Sequence, residues 1–382
     1  MGMTTQTVLR VRGDYAPLGE CLARMNPRGL FVVCDSAYPY LPVRPWLEEW
    51  AARTGTALTL FSDFRPNPAY ESAVEGVRRF RESGASVILA AGGGSALDVA
   101  KCIRLWCAMP EEGCWLDRPP VPSGVPLIAL PTTAGTGSEA TRYAVVYRGG
   151  EKQSVTSDLC LPQVVVMDPA ALLTLPLSQK KATLMDALCH AVESAWSLNS
   201  TEESRAYSRE AIRGVLAHLE GYLRNVPEDC AGMLEAANLA GKAINITQTT
   251  AGHAMCYKLT TLYGLPHGHA AALCNRALFP WLAAHPERWT DPRGQDHLRE
   301  ALEDIARAMG CTGPLAAAEA FARLTEQLAL SVPEAGEGDI ERLTASVNPV
   351  RLKNFPAALT AEDIAGLYRS ILRCPDRPEP RG

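Results

Sequence analysis

Residues 86–101 read SVILAAGGGSALDVAK. The apolar run through Ala91 has the length of a strand, ends on Gly92, Gly93 and Gly94, and gives way to helical spacing through Lys101. Without Cβ atoms the glycines let the backbone approach a pyrophosphate. The start of the following helix offers unpaired N–H groups and the positive end of its dipole. The stretch matches neither G-x-G-x-x-G nor a Walker sequence, so taken alone it also allows a tight turn that binds nothing.

Outward from this stretch the same rhythm repeats. GLFVVCD (29–35), VPLIALPTT (125–133) and QVVVMDP (163–169) read as buried strands, and AVEGVRRFRES (73–83) has helical spacing. Strand and helix in alternation predict a parallel sheet with helices on both faces. A second turn, PTTAGTGSEAT (131–141), follows its own strand and carries hydroxyls at Thr132, Thr133, Thr136 and Ser138. Two such turns at the carboxyl ends of neighbouring strands line one crevice suited to a dinucleotide. Asp35 ends its strand where it can accept a ribose 2'-hydroxyl, and no Lys or Arg follows closely to meet a 2'-phosphate. NAD(H) is therefore favoured, with NADP(H) left open. Past Pro176 the pattern turns helical, as in QKKATLMDALCHAVESAWS. The expected domains are a dinucleotide-binding α/β domain over 1–176 and a helical metal-binding and substrate domain over 177–382.

Composition excludes several classes. With 37 basic and 42 acidic residues and a formal net charge of -5, the chain has no global field to draw in nucleic acid or an anionic membrane. No run approaches ~18 uninterrupted apolar residues, and the N-terminus lacks the apolar stretch of a signal peptide. Gln6 stands where an N-myristoylation signal at Gly2 needs Ser or Thr. The twelve cysteines form no C-x-x-C pair and read as reduced thiols of a cytoplasmic protein. CPDRPEPRG (374–382) reads as a loose tail.

Chemistry concentrates in the helical half. Asp186 and His190 are four residues apart and share one helix face; His253 lies in a second helix, and His267 follows Pro266 at the start of a third. One carboxylate and three imidazoles suit a borderline divalent ion, Fe(II) or Zn(II), with a position open to a substrate oxygen. His269 is not needed in this set.

Taken together, FRPNP (64–68), GGGSALDVAK, PTTAGTGSEAT, KQSVTSDLCLPQVVVMDP, DALCHAVES and GHAMCYKLTTLYGLPHG resemble the iron-containing (group III) alcohol dehydrogenase family over nearly the whole chain. The resemblance implies the iron alcohol dehydrogenase fold, also called dehydroquinate synthase-like. It consists of an α/β N-terminal Rossmann-like domain, an all-α C-terminal domain and a metal in the cleft between them. It carries the metal-ligand positions onto Asp186, His190, His253 and His267. The nucleotide positions fall on Asp35, Asn67, Gly93, Gly94, Ser95, Asp98, Thr132, Thr133, Thr136, Ser138 and Lys152. The implied assembly is a homodimer.

Two departures set this chain apart. Tyr257 occupies the place where many members carry a further histidine, which leaves the proton donor open among water, the cofactor ribose and Tyr257. SVNPVRLKNFPAALT (346–360) replaces the usual Asn-Pro-Arg. HAMCYKLTTLYGLPHGHA with NPVRLKN resembles the branch that reduces phosphonoacetaldehyde to 2-hydroxyethylphosphonate in phosphonate antibiotic pathways. That implies an anionic aldehyde held by Lys258, Arg351 and Lys353, with Tyr257 and Lys258 beside the reacting group. Sulfoacetaldehyde, lactaldehyde and a dehydroquinate synthase-type lyase reaction remain the alternatives.

Overall fold

A computed structural model describes residues 6–373. Gly2 and the tail at 374–382, both read above from sequence, lie outside the described residues. The chain divides into two compact units: one comprises the chain up to Pro176 with Glu220–Asn238, the other Leu177–Leu219 with the chain from Leu239 onward.

The first unit opens with β1 (Thr7–Arg10), α1 (Ala16–Met25), β2 (Gly29–Cys34), α2 (Val43–Thr54) and β3 (Ala57–Phe61). It continues with α3 (Tyr70–Ser83), β4 (Val87–Gly92), α4 (Gly94–Trp106) and β5 (Leu127–Pro131). A hairpin of β6 (Tyr143–Arg148) and β7 (Glu151–Thr156) precedes β8 (Val164–Met167). Six strands form one sheet in the order β1-β8-β5-β4-β2-β3, every pair parallel.

Strand periodicity sorts the core into two halves. Phe31, Val33, Ile88, Ala90, Leu127 and Ala129 pack on one face with residues of α3 and α4. Leu30, Val32, Val87, Leu89, Ile128 and Leu130 pack on the other with residues of α1 and α2. Because both faces are covered, β2, β4 and β5 are buried at every position. Their sequences are apolar without alternation for the same reason. β2 and β4 are neighbours, yet the chain leaves β2 for β3 on one side and β4 for β5 on the other. The helices that follow them, α2 and α4, lie on opposite faces. This is a topological switch point, where open α/β sheets bind ligands outside the carboxyl ends of the strands.

Three strands and a hairpin partner escape the sequence pattern. β1 and β3 are the sheet's edges and bury little, while β6 and β7 pair antiparallel outside the main sheet. β1, β3 and β7 carry no continuous apolar run, and the run in β6, Tyr143–Tyr147, alternates between buried and half-buried positions.

The second unit is helical. Its elements are α5 (Leu177–Trp196), α6 (Glu202–Leu223), α7 (Pro227–Thr247), α8 (Ala251–Tyr263) and α9 (His267–Ala284). Then follow α10 (Gln295–Ala308), α11 (Pro314–Gln327), α12 (Asp339–Ser346), the short α13 (Pro349–Leu352) and α14 (Ala361–Ile371). The segment 220–238, from the end of α6 into α7, belongs to the first unit. α9 is the central element, packed by α5, α8, α11 and α14. α5 is buried on all sides from Leu184 through Trp196, so its polar residues Asp186, His190 and Glu193 are carried into the interior. Buried polar groups survive only with partners or a ligand.

Candidate functional site

In the first unit the expected nucleotide residues gather around the switch point. Asp35 follows β2, and its Oδ2 accepts the Gly93 N–H at 3.1 Å while Oδ1 accepts the Ala37 N–H at 2.9 Å. The acid at the end of one strand thus fixes the glycine turn at the end of its neighbour. Close approach explains the glycine at position 92: a Cβ there would lie 2.5 Å from Ala96 Cβ and 2.7 Å from Asp35 Oδ2. The second turn packs onto the first, with the Thr132 N–H donating to Gly92 O at 3.1 Å. A Cβ on Gly94 would meet Thr136 at 3.0 Å, and one on Gly93 would meet Thr133 at 3.3 Å. Gly93, Gly94 and Ser95 stay partly exposed, and α4 has no side-chain cap. Its first N–H groups therefore remain suited to a phosphate.

Two expected nucleotide residues are turned to internal work. Asp98 accepts from Ser138 Oγ at 2.9 Å and from the Val145 N–H at 3.0 Å. Beside it the fully buried Lys101 ammonium donates to Ser138 O, Ser138 Oγ, Thr141 Oγ1 and Tyr143 O at 2.6–3.1 Å. Burial pushes the Asp98 carboxyl up, with Lys101 opposing the rise; burial likewise pulls the Lys101 ammonium down against the pull of Asp98. The hairpin is moored here through Val145 and again through the Tyr147 N–H, which donates to Pro68 O at 2.8 Å. Pro68 follows exposed Asn67, whose φ is 58°, and Tyr147 pairs with Lys152 across the hairpin. Asn67 and Lys152 thereby lie on the two sides of the same strand, β6.

In the second unit, α5, α8 and the first residue of α9 converge. Donor atoms of Asp186, His253 and His267 all lie within 4.8 Å of one another. His253 Nε2 is 3.4 Å from Asp186 Oδ1, and the His253 and His267 rings are 5.3 Å apart. His190 joins from the next turn of α5, with Nε2 3.9 Å from Asp186 Oδ1 and its ring stacked on His253 at 4.5 Å. Gly268 permits the approach of α9 to α5, since a Cβ there would sit 2.1 Å from Ala182 O. His269 turns away and meets Ser331 O at 2.8 Å through Nε2.

A second carboxylate, missed in the sequence, holds the cluster from behind. Glu193 is fully buried; its Oε1 lies 2.6 Å from His253 Nδ1 and accepts from Asn275 Nδ2 at 2.8 Å. Its Oε2 accepts from the Thr250 N–H at 2.6 Å and Thr250 Oγ1 at 2.8 Å. A carboxylate on Nδ1 fixes the tautomer and aims Nε2 at Asp186. The signal lay in DALCHAVES: Glu193 is three residues past His190 and seven past Asp186, hence on their face of the helix.

The electrostatics call for a cation. Burial opposes ionisation of Asp186, but His190, His253 and His267 hold it well below the usual carboxylate range. Burial works against Glu193 in the same way, and His253, Asn275 and Thr250 bring it down to about 2. Burial would discharge His253, yet Glu193 and Asp186 outweigh it and raise its pKa well above the ordinary value. Two buried carboxylates thus press on one imidazole whose Nε2 faces the donor set. A divalent ion there would be held by nitrogen and oxygen donors that suit it, and would balance the two carboxylates.

Of the residues expected to hold the substrate, Arg351 on α13 lies with its guanidinium carbon 4.8 Å from the centroid of the Tyr257 ring. That ring lies nearly parallel to the His267 ring, at 14° and 5.8 Å. Lys258 is half-buried on α8, roughly 140° around the helix from His253. Lys353 is exposed.

A parallel α/β unit with a glycine turn at its switch point and a helical unit with a buried Asp/His centre fit the class of metal-dependent oxidoreductases. Iron-containing alcohol dehydrogenase matches residues 5–169, and the Fe-containing alcohol dehydrogenase family, C-terminal, matches residues 180–372. The chain belongs to the iron-containing alcohol dehydrogenase family and is an oxidoreductase. It is 32% identical over 311 residues to the phosphonoacetaldehyde reductase of Streptomyces viridochromogenes, covering 76% of this chain and 77% of that one. Its fold is shared with an iron-containing alcohol dehydrogenase from Thermococcus thioreducens, at a TM-score of 0.85 and 22% identity over 97% and 99% of the two chains. It is also shared with sulfoacetaldehyde reductase from Bifidobacterium kashiwanohense, solved with NAD+, at a TM-score of 0.84 and 24% identity over 96% of each chain. No helix among the described residues is long and apolar enough to cross a membrane, and none of the eleven described cysteines is in a disulfide.

Proposed function

We propose that this oxidoreductase uses NADH and a divalent ion, Fe(II) in preference to Zn(II), to reduce a small anionic aldehyde. Phosphonoacetaldehyde, giving 2-hydroxyethylphosphonate for phosphonate biosynthesis, is the first choice. The observation that carries the substrate reading is the Arg351 guanidinium on the Tyr257 ring, which itself lies against His267. Identity to the Streptomyces phosphonoacetaldehyde reductase supports it.

Asp186, His190, His253 and His267 would hold the ion, with Glu193 locking His253 in the tautomer that directs Nε2 inward. When bound, the ion supplies Lewis acidity to the aldehyde oxygen and the reduced nicotinamide supplies hydride. Asp35, Gly93, Gly94 and Ser95 would seat the cofactor, with Asn67, Thr132, Thr133, Thr136 and Lys152 around it; Asp98 and Ser138 hold that turn and the β6–β7 hairpin in shape. Arg351, Lys258 and Lys353 supply positive charge for the substrate dianion. The Tyr257 hydroxyl is the chain's own candidate to protonate the product oxygen. NADH oxidation across phosphonoacetaldehyde, sulfoacetaldehyde, lactaldehyde and propanal, at fixed Fe(II), tests the reading. The highest kcat/KM belongs to phosphonoacetaldehyde; a higher value for either neutral aldehyde overturns it.

A further inference from the structure

We infer that Tyr257 acts as an aromatic mount that fixes Arg351 relative to the metal ligand His267, so that the pair sets selectivity for an anionic aldehyde. The inference rests on the proposed anionic substrate and assigns the discrimination to one ring and one guanidinium.

The argument begins on α8. Tyr257 is four residues after His253, so it lies on the ligand-bearing face one turn further along. Its ring is nearly parallel to His267, whose own position is set by being the first residue of α9. A guanidinium 4.8 Å from that ring's centroid is held by the negative charge of the ring face. One ring therefore relates the position of a cation to that of a metal ligand. An aldehyde with its oxygen at the metal and an anion two atoms away needs a cation at such a fixed offset.

The backbone under Arg351 is anchored on both sides. α13 is only four residues long, but Pro349 begins it and the Asn348 side chain caps it by accepting the Val350 N–H at 2.9 Å. Immediately after it, Asn354 Nδ2 donates to Gln248 Oε1 at 3.1 Å, and the Leu198 N–H donates to Asn354 O at 2.9 Å. Phe355 is buried edge-on against Trp196. The segment 348–355 is thus a tethered bracket, and the Tyr257 ring is where its guanidinium comes to rest. Lys258 and Lys353 show no comparable relation to a ligand.

The ring and the hydroxyl of Tyr257 separate experimentally. In Fe(II)-loaded enzyme, the ratio of kcat/KM for phosphonoacetaldehyde over propanal is measured for wild type, Arg351→Leu, Tyr257→Leu and Tyr257→Phe. Calorimetric affinity for methylphosphonate and bound iron are measured alongside. The expected result is a fall in the ratio of about 10- to 100-fold in Arg351→Leu, for loss of charge-assisted hydrogen bonds, and about 3- to 10-fold in Tyr257→Leu. Both falls arise from KM, methylphosphonate weakens in the same order, and iron content stays level. Tyr257→Phe restores the wild-type KM and methylphosphonate affinity whatever becomes of kcat.

If Tyr257→Leu keeps the wild-type ratio and methylphosphonate affinity, the mount is overturned while the anionic-substrate reading stands. Loss of iron in Tyr257→Leu also overturns it, because the ring would then serve His267 and not Arg351. A wild type without preference for the phosphonate aldehyde overturns the substrate reading and this inference together.

Discussion

The molecule contains two buried acid clusters built on opposite plans. Around Asp98, the carboxylate has a fixed counter-charge in Lys101, and each of its oxygens accepts a hydrogen bond from the chain. Around Asp186 and Glu193, two carboxylates face three imidazoles, and among the described residues no lysine or arginine pairs with either. Two buried carboxylates balanced only by imidazoles and neutral donors leave a site suited to a cation supplied from outside. A cluster that closes on itself organises a fold; one left short of positive charge organises a ligand.

The sharpest way to break this contrast is to remove a donor from the open cluster. His267→Ala is expected to lose bound metal and to lower kcat/KM on the order of 10⁴-fold, the scale of several kcal/mol of Lewis-acid stabilisation. Metal analysis and steady-state kinetics check it. Retention of both would mean that the Asp186 cluster is as self-sufficient as the Asp98 cluster.

The closed cluster fails differently. Lys101→Met strands the Asp98 carboxylate and removes the donor to Ser138, Thr141 and Tyr143, with an expected loss of about 3–5 kcal/mol of folding stability whether or not metal is present. Denaturant midpoints with and without Fe(II) measure this. Adding Asp98→Asn should recover part of the loss, since the stranded charge is then gone. Equal stability of Lys101→Met and wild type would show that Lys101 does not balance Asp98.

The two clusters also differed in how far they could be read from residues alone. The fold was legible where burial was complete: β2, β4, β5 and β8 are continuous apolar runs because both faces of the sheet are covered. The edges β1 and β3 and the strand β7 are half-exposed and carry no such run, while β6 carries one that is buried only at alternate positions. Asp186, His190, His253 and His267 were legible only as a set, since singly each reads as easily as a core or surface residue, and the family resemblance carried their assignment as ligands. Asp98, by contrast, appeared only as a nucleotide position, and its bonds to Ser138 and Val145 depend on a hairpin that the pattern did not reveal. The approach of Arg351 to Tyr257 joins two helices far apart in sequence, and no local periodicity encodes such a pairing.

The finest test separates the two carboxylates of the open cluster. Asp186 faces the donor atoms, whereas Glu193 acts one residue removed, through His253 Nδ1. Glu193→Gln keeps the size but has a single acceptor oxygen, so with that oxygen on His253 Nδ1 the charged acceptor there becomes a neutral one and the amide NH2 faces Thr250. His253 then becomes a weaker base, and the second negative charge that balances a divalent ion is lost. Outer partners of metal-bound histidine commonly contribute 10- to 100-fold in affinity. Glu193→Gln is therefore expected to weaken metal binding by about that factor, with correspondingly less effect on turnover once the metal is saturating. Titration of the apo-protein with Co(II), followed by its visible absorption, reads affinity and ligand geometry together. A weakened affinity with an unaltered saturated spectrum fits a carboxylate that orients and charges His253. An unchanged affinity would leave Glu193 as a buried acid satisfied by Thr250 and Asn275 alone, and would move it to the same side of the comparison as Asp98.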